Sequence, residues 1–522
     1  MGREGTEPPA IPAPESEASP DGILQQVLRS AGSDAMRYVP VRFLPALASL
    51  ISIPVFTAAI GAKEYGTFYL ISSIAVLCSN IAVGWIGSSV VRFYWPLKRS
   101  DRIDEFTASV LWTSLSTLLA TAAIAGAAAW LGRGSLSEDL WRLVPAALIF
   151  FVLNYLTDVL AQVLRAAKEA RSFAFVQIAG ALLSTGISIV LVWWGHFGAA
   201  GIFAGGAVAW AIMLVPILRA IHRQGSLSPS DLSRPLLGEF WAYGMPLIPV
   251  GISVWALALI DRWVIQVFEG TAAVGLYSVA YSLGDKIMQI AIAPILLTML
   301  PSLMEAYENR GQHIAEKVQT QFMRYFALVT VPLLAGLAAA SQPIMHVFTA
   351  PEYWVAWRVL PIVAASTVFG AFSQVATSGL AIHKKTHLIM VNTFIAAAFN
   401  LVANVVLVPR YGYMAAAFNT VAAYLLMMNL SWLQSRRFMP LRFPWPDFAR
   451  IVFASVVMGV LVWLPFAELL ATASRPAALR ILAVQVIAGL VIYPAVLFAV
   501  KGFRADEVTL VKDLLGRLRG RS

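Results

Sequence analysis

Apolar segments with almost no charged residue recur along nearly the whole chain, roughly every 25 to 40 residues. Each is long enough to cross the roughly 30 Å apolar core of a bilayer as an α-helix, which satisfies its own backbone hydrogen bonds in lipid. Charged residues make up only 13% of the 522 residues, about half of the fraction that is usual in soluble domains. The sequence therefore predicts an all-α polytopic membrane protein.

The apolar segments predict about fourteen transmembrane helices. The predicted spans lie near 38–60, 66–91, 105–131, 143–164, 173–194, 199–218, 241–266, 273–300, 323–349, 357–379, 387–408, 412–433, 449–468 and 479–500. Merging the weaker neighbours would give twelve or thirteen.

An internal duplication divides these spans. A proline and two glycines recur at an offset of 209 residues, and a lysine and a glycine recur at offsets of 216 and 214. The pairs are Pro40 and Pro249, Gly61 and Gly270, Gly66 and Gly275, Lys168 and Lys384, and Gly198 and Gly412. Six spans therefore form one unit, so we expect two six-helix lobes followed by two extra helices.

Lys and Arg residues predict the orientation, because short cytoplasmic loops collect them. Loops after even-numbered spans hold eighteen, and loops after odd-numbered spans hold seven. Both termini are therefore predicted to be cytoplasmic, and both lobes start on the same side, as in a parallel repeat. Such lobes enclose a cavity at the midplane that alternating access opens to one side and then the other. The net charge of +10 follows from this loop bias and does not indicate nucleic-acid binding.

The domain boundaries follow from the spans. Residues 1–37 are predicted to be a Pro-, Glu- and Ser-rich disordered tail without a signal peptide, ending in a short interfacial helix or an ordinary leader turn. The other predicted units are an N-lobe at 38–222, a cytoplasmic linker at 223–240, a C-lobe at 241–435, two extra spans at 449–500 and a basic cytoplasmic tail at 501–522.

Seven ionisable residues lie within or at the edge of predicted spans, where a charge costs at least a few kcal/mol, about 2.5–3.5 on insertion scales. They are Arg42, Arg92, Asp158, Asp261, Arg262, Asp285 and Lys286. Each of them can also be explained without a functional role. A residue at the edge of a span can snorkel to the headgroups or anchor the span there, and a deeper one can form an ion pair with another helix. Because adjacent helical residues point about 100° apart, we expect that Asp261 and Arg262 do not neutralise each other. Asp285 and Lys286 are the deepest charges and the strongest candidates.

Other patterns favour structure over catalysis. Asn392, Asn400 and Asn404 spread over about a third of the surface of one helix and favour interhelical hydrogen bonds over sugar contacts. The chain has no HExxH, GxSxG, P-loop or Rossmann motif, and its one cysteine, Cys78, cannot build a thiolate metal site. We therefore predict no enzyme, no cofactor and no metal site.

Four stretches resemble a known family. GAKEYGTFYL, VVRFYWP, IDRWVIQVFEGTAAVGLYSVAYSL and FNLVANVVLVPRYGYMAAAFNTVAAYLL are similar to the Wzx-type polysaccharide flippases of the multidrug/oligosaccharidyl-lipid/polysaccharide exporter superfamily. The resemblance covers about residues 38–435 and implies a V-shaped, MATE-like pair of six-helix bundles in the inner membrane. The implied substrate is an undecaprenyl-diphosphate-linked oligosaccharide, moved from the cytoplasmic to the periplasmic leaflet for surface polysaccharide biosynthesis. Implied partners are this lipid, the bilayer, and polymerase and chain-length components.

The resemblance also implies roles for the seven charges. It makes Arg42, Arg92, Arg262 and Lys286 candidates for binding the diphosphate, and Asp158, Asp261 and Asp285 candidates for ion coupling.

Three alternatives remain open at this point. The first span, RFLPALASLISIPVF, lacks the denser Arg and Asp pattern of lipid II flippases, which disfavours a peptidoglycan role. A MATE-like small-molecule antiporter would usually have twelve spans. A membrane-embedded glycan polymerase or ligase would need a large outer loop, whereas the odd-numbered loops are about eleven residues or fewer.

Overall fold

The computed structural model describes residues 43–134, 138–440, 443–467, 469 and 474–504. Sixteen α-helices occur in these residues. They are α1 (Phe43–Ala59), α2 (Ala62–Ala82), α3 (Gly84–Arg99), α4 (Ile103–Leu131), α5 (Glu138–Ala166), α6 (Ala170–Trp193), α7 (Gly198–His222), α8 (Arg234–Gly244), α9 (Ile248–Glu269), α10 (Thr271–Arg310), α11 (Gln312–Phe348), α12 (Val359–Ile382), α13 (Thr386–Tyr411), α14 (Tyr413–Ser435), α15 (Trp445–Trp463) and α16 (Arg475–Ala499).

The predicted all-α polytopic fold is confirmed. Every predicted span matches a helix, and two spans are made of two consecutive helices, α2 with α3 and α8 with α9. Of the described helical segments, 13 are long and apolar enough to cross a membrane. The apolar helix α1, Phe43–Ala59, is shorter than this limit. We call α1–α7 the N-lobe and α9–α14 the C-lobe.

The hairpin of α10 and α11 is longer than predicted. The two helices have 40 and 37 residues and meet at Gly311, so residues 301–322, which the sequence prediction left outside the spans, are mostly helical. A 40-residue helix is about 60 Å long, twice the apolar thickness of a bilayer. The hairpin therefore extends beyond the apolar core on the predicted cytoplasmic side. Hydropathy detected only its apolar part.

The duplicated glycines lie where the two lobes meet. A Cβ atom on Gly66 of α2 would collide with the backbone oxygen of Thr271 on α10, and a Cβ on Gly275 would collide with the backbone oxygen of Ala62. Thr271 lies 209 residues after Ala62, as Gly275 does after Gly66. The contact is therefore symmetric, as expected for a parallel repeat with its axis between α2 and α10.

The second set of duplicated residues is also equivalent in the structure. Gly198 and Gly412 both have positive φ, of 57° and 66°; Gly198 is the first residue of α7, and Gly412 directly precedes α14. A glutamate carboxylate lies where their Cβ would be, and it accepts a hydrogen bond from the next residue's N–H. Glu64 accepts from Ala199 at 2.6 Å, and Glu269 from Tyr413 at 3.1 Å. Glycine is required because a Cβ would displace the carboxylate that caps α7 or α14.

The two extra helices are attached to the C-lobe. Both α15 and α16 pack against α11, where Ala339, Met458 and Val462 form a small buried cluster. At the predicted cytoplasmic end, Asp447 of α15 binds Arg324 of α11 at 2.6 Å and Arg504 at 2.5 Å. This charge cluster and the apolar contact above it hold the pair of helices in place.

Candidate substrate chambers and outer end

Lys286, one of the two deepest charges, lines a cavity of about 230 Å³ between the lobes. It extends from α10 of the C-lobe, whereas all the other lining residues belong to the N-lobe. We call this cavity the N-lobe chamber. Its lining consists of Lys286, five hydroxyl residues (Ser49, Ser52, Ser184, Thr185 and Ser188), the aromatic residues Phe56, Tyr65, Phe68, Tyr69, Phe150 and Phe203, and Ile53 and Ile202.

This lining suits an anion. The described lining residues of the N-lobe chamber include no carboxylate, so the Lys286 ammonium is its charged group. An ammonium supplies three donors, and a hydroxyl supplies one. The Ser52 and Ser188 hydroxyls donate to backbone oxygens in the structure, so a bound oxyanion would have to replace those two hydrogen bonds. Phosphate oxygens are strong acceptors for this set of groups.

Asp285, the neighbour of Lys286 in sequence, lines a different cavity, of about 340 Å³, walled by α9, α10, α12, α13 and α14. We call it the C-lobe chamber. Oδ1 of Asp285 accepts a hydrogen bond from Thr367 Oγ1 at 2.9 Å. Because adjacent helical residues point about 100° apart, α10 separates the two charges into two chambers.

The expectation that Asp261 and Arg262 cannot neutralise each other is wrong. Arg262 Nη1 lies 2.9 Å from Asp261 Oδ1, and both side chains are buried, at 3% and 1% exposure. The helix angle separates only the Cα–Cβ bonds, and the long arginine side chain folds back to its neighbour. Tyr277 donates to the other carboxylate oxygen at 2.5 Å, and the Arg262 guanidinium lies 4.4 Å from the centre of the Tyr281 ring.

This pairing leaves Asp261 and Arg262 outside the described linings of both chambers. Arg262 contacts Tyr281, which lines the C-lobe chamber, so the pair supports that wall. A diphosphate-binding role for Arg262 and a coupling role for Asp261 stay predictions.

The remaining predicted site residues do not join these chambers. Arg92 on α3 and Asp158 on α5 are exposed, and neither belongs to the described lining of either chamber. Arg42 lies outside the described residues, as does Pro40 of the repeat. Their predicted roles remain predictions.

The interpretation of the asparagines as interhelical contacts is confirmed. Asn419 of α14 donates to Asn404 of α13 at 3.0 Å, and Asn404 donates to Asn400 at 2.9 Å. Asn392 donates to Gln434 of α14 at 3.0 Å. The three predicted asparagines are fully buried and join α13 to α14.

A second contact between the lobes closes the predicted outer end. The segment Pro351–Arg358, between α11 and α12, reaches the turn between α1 and α2. Both carboxylate oxygens of Glu352 lie 3.2 Å from the Ala62 N–H, at the start of α2, and the Tyr353 hydroxyl donates to the Ile60 oxygen at 3.1 Å. A carboxylate at a helix N-terminus is stabilised by the helix dipole. We call this contact the outer latch.

We expect the double variant Glu352→Ala, Tyr353→Phe to open the outer end. The double variant removes one charge-assisted and one neutral hydrogen bond, which together stabilise the closed outer end by about 2 kcal/mol. Their loss would shift the equilibrium between the closed and the open outer end more than tenfold towards the open state. The measurement is labelling of Ser52→Cys, in a Cys78→Ser background, by a membrane-impermeant thiol reagent added from outside. An unchanged labelling rate would contradict the latch.

Glu138→Ala is the matched control for this prediction. Glu138 is also predicted to lie at the outer end, and it forms an exposed pair with Arg142, at 77% and 71% side-chain exposure. Exposed pairs of this kind contribute little. Its removal is expected to leave Ser52→Cys labelling unchanged.

Several residues of the chambers were missed in the sequence. The five hydroxyl residues of the N-lobe chamber come from two helices that are far apart in sequence, α1 and α6, and carry no charge, so no local pattern identifies them. Tyr281, Asp285 and Gln289 are spaced four residues apart on one face of α10, and all three line the C-lobe chamber. A polar face with this spacing on an apolar helix could have been recognised from the sequence.

In the described part of the chain, no group of three or more His, Cys, Asp and Glu residues could hold a metal ion.

Comparison with known proteins places this architecture in a family. A model of the family described as polysaccharide biosynthesis protein matches residues 60–358, more than half of the chain. The chain belongs to this family. The match spans α2 to α11 and therefore includes Asp285, Lys286 and the outer latch.

Solved structures of two transporter types share the fold. The lipid II flippase MurJ, in an inward closed conformation, superposes with a TM-score of 0.69 at 15% identity, covering 91% of this chain and 98% of that chain. An inward-facing multidrug resistance MATE family transporter of the MOP superfamily superposes with a TM-score of 0.61 at 14% identity, covering 77% and 97%. With the family match, these confirm the resemblance to Wzx-type members of this exporter superfamily.

A curated relative covers less of the sequence. The uncharacterized membrane protein MJ1068 of Methanocaldococcus jannaschii is 24% identical over 199 residues, which are 37% of this chain and 38% of the relative. The alignment thus spans well under half the length of that protein. The protein described here is a multi-pass membrane protein of the polysaccharide biosynthesis family with a flippase and transporter fold.

Proposed function

We propose that the protein translocates undecaprenyl-diphosphate-linked oligosaccharides across the inner membrane for surface polysaccharide biosynthesis, by alternating access. The observation that carries this proposal is the N-lobe chamber, where the Lys286 ammonium meets N-lobe hydroxyls between the lobes. The family match supports a glycan pathway, and the fold supports transport. In this proposal both termini are cytoplasmic, and polymerase and chain-length components receive the product.

Lys286 would hold the diphosphate. It comes from the C-lobe, whereas the hydroxyls around it come from the N-lobe, so a bound anion would contact both lobes at once. A ligand that binds one arrangement of the lobes better than the other shifts their equilibrium by that difference in affinity. The same chamber could therefore bind the headgroup and trigger the change of access.

Asp285 is the carboxylate that we propose for proton coupling. Of the three predicted coupling residues, it lines a chamber, whereas Asp261 is buried in its pair with Arg262 and Asp158 lines neither chamber. Protonation would remove its charge and reverse its hydrogen bonding with Thr367. If collapsing the proton gradient leaves translocation unchanged, this assignment fails.

The test is transport by the purified full-length protein in lipid vesicles. The probe is the lipid-linked oligosaccharide extracted from the native cells, placed in one leaflet and detected in the other with a membrane-impermeant lectin. We expect protein-dependent transfer, several-fold faster than in protein-free vesicles. Transfer of ethidium instead of the glycolipid would favour a MATE-like small-molecule antiporter, and extension of the glycan would favour a polymerase.

A further inference from the structure

We propose that the C-lobe chamber is the binding site for the first sugars of the glycan, separate from the diphosphate site in the N-lobe chamber. This inference rests on the proposed function. Its starting observation is that neighbouring residues of one helix, Asp285 and Lys286, line two chambers of different chemistry.

The lining of the C-lobe chamber suits a carbohydrate. It combines the carboxylate of Asp285, the amides of Gln289 and Gln374, and the rings of Tyr281 and Tyr424. Vicinal hydroxyls of a sugar donate to a carboxylate and exchange hydrogen bonds with an amide, which has both donors and an acceptor. The C–H face of a sugar ring packs on an aromatic face, which is a large apolar surface with a polar edge.

The two amides are available to a ligand. Gln289 on α10 and Gln374 on α12 are both exposed, whereas Thr367 and Ser431 of the same lining are buried. Thr377, one turn from Gln374 on α12, adds a hydroxyl. Polar groups from two helices therefore converge on the same space.

Size and chemistry argue against a metal cation as the occupant. The chamber measures about 340 Å³, within the range of small-molecule pockets and far larger than an ion needs. A hard cation requires about six close oxygen ligands, often carboxylates, whereas Asp285 is the carboxylate among the described lining residues. The amide oxygens of Gln289 and Gln374 could join such a site, but a single ion would leave most of the chamber unfilled.

The two chambers are lined by neighbouring residues of one helix, Lys286 and Asp285. In a polyprenyl-diphosphate glycolipid, the first sugar is bonded directly to the diphosphate. The headgroup could therefore place its phosphates beside Lys286 and its first sugars beside Asp285, around one side of α10. Charge would be recognised by the N-lobe chamber and glycan identity by the C-lobe chamber.

Gly370 of α12 shapes this chamber. A Cβ added there would lie 3.0 Å from the Tyr424 ring, which is tight enough to displace the ring. Gly370→Ala is therefore expected to change the chamber without changing any of its polar groups. Gly186→Ala on α6 is the matched control, because nothing lies within 4 Å of a Cβ at Gly186.

The test compares two lipids on the same protein. Full-length protein in nanodiscs is titrated with undecaprenyl diphosphate, which has no sugar, and with the lipid-linked oligosaccharide extracted from the native cells. We expect the double variant Gln289→Ala, Gln374→Ala to bind the glycolipid about tenfold more weakly, because two hydrogen-bonding groups are lost, and to bind undecaprenyl diphosphate unchanged. Gly370→Ala is expected to show the same selective loss. Asn429→Ala, an exposed amide of α14 outside the chamber lining, is the control.

The outcomes separate this inference from the proposed function. If the chamber variants bind both lipids more weakly by the same factor, or bind both as the wild type does, the glycan site is overturned and the diphosphate proposal is unaffected. A change in proton-gradient dependence at unaltered glycolipid affinity also overturns it. If the wild-type protein binds neither lipid, the proposed function fails, and the glycan site fails with it.

Discussion

Gly275→Ala is expected to destabilise the protein and to prevent the lobes from closing at the outer end. A methyl group at Gly275 would collide with the backbone oxygen of Ala62, and backbone cannot move aside as a side chain can. Overpacking usually costs about 1–3 kcal/mol, and this contact joins the first turns of α2 and α10, where the lobes meet at the predicted outer end. We expect the melting temperature of the purified protein to fall. We expect labelling of Ser52→Cys from the outer side to become faster.

The internal symmetry sharpens this prediction. Gly66→Ala would meet the equivalent oxygen of Thr271, so its effect should be similar in size. Either methyl group moves α2 and α10 apart, so the double variant should cost little more than one change, a non-additive result that is typical of residues sharing one contact. Gly87→Ala is the control, since nothing lies within 4 Å of a Cβ there. Additive effects, or melting temperatures equal to the control, would contradict the symmetric contact.

The duplication was readable in the sequence because it concerns backbone geometry. Gly66 and Gly275 are needed where two helices approach, and Gly198 and Gly412 where the backbone has positive φ. Lys168 and Lys384 also share positive φ, of 61° and 57°, although neither is a glycine. Such constraints fix both the residue type and the spacing, so they remain visible in both copies.

Side-chain partners were not readable in the same way. The pairing of Asp261 with Arg262 depends on how a flexible arginine folds, and the outer latch joins residues 290 positions apart, Ala62 and Glu352. The neutral lining of the N-lobe chamber comes from helices α1, α2, α5, α6 and α7. Depth in a span singled out Asp285 and Lys286 as the strongest candidates, because a charge there needs a cavity or a partner. The structure places each of them in the lining of a chamber, and their roles stay predictions.

Replacing Lys286 with glutamine is expected to abolish translocation while the protein still folds. The ammonium is the charged group that the described N-lobe chamber presents, and a charge-assisted hydrogen bond to phosphate contributes about 1.5–3 kcal/mol. Binding of undecaprenyl diphosphate should therefore weaken about 10- to 100-fold. Lys286→Arg keeps the charge and should retain part of the activity, reduced because the larger guanidinium must fit a chamber of about 230 Å³.

The controls separate loss of the ligand group from loss of the fold. Lys317→Ala removes the same charge from the exposed part of α11, outside both chambers, and should leave transport unchanged. Glutamine is shorter than lysine but keeps a polar end without the charge. A melting temperature near that of the wild type, with transport absent, therefore assigns the loss to the ligand group and not to the fold. Normal transport by Lys286→Gln would remove Lys286 from the diphosphate site. Because no other charged side chain lines the described N-lobe chamber, the anion site would then have to lie elsewhere, with Arg42 as the next residue to replace.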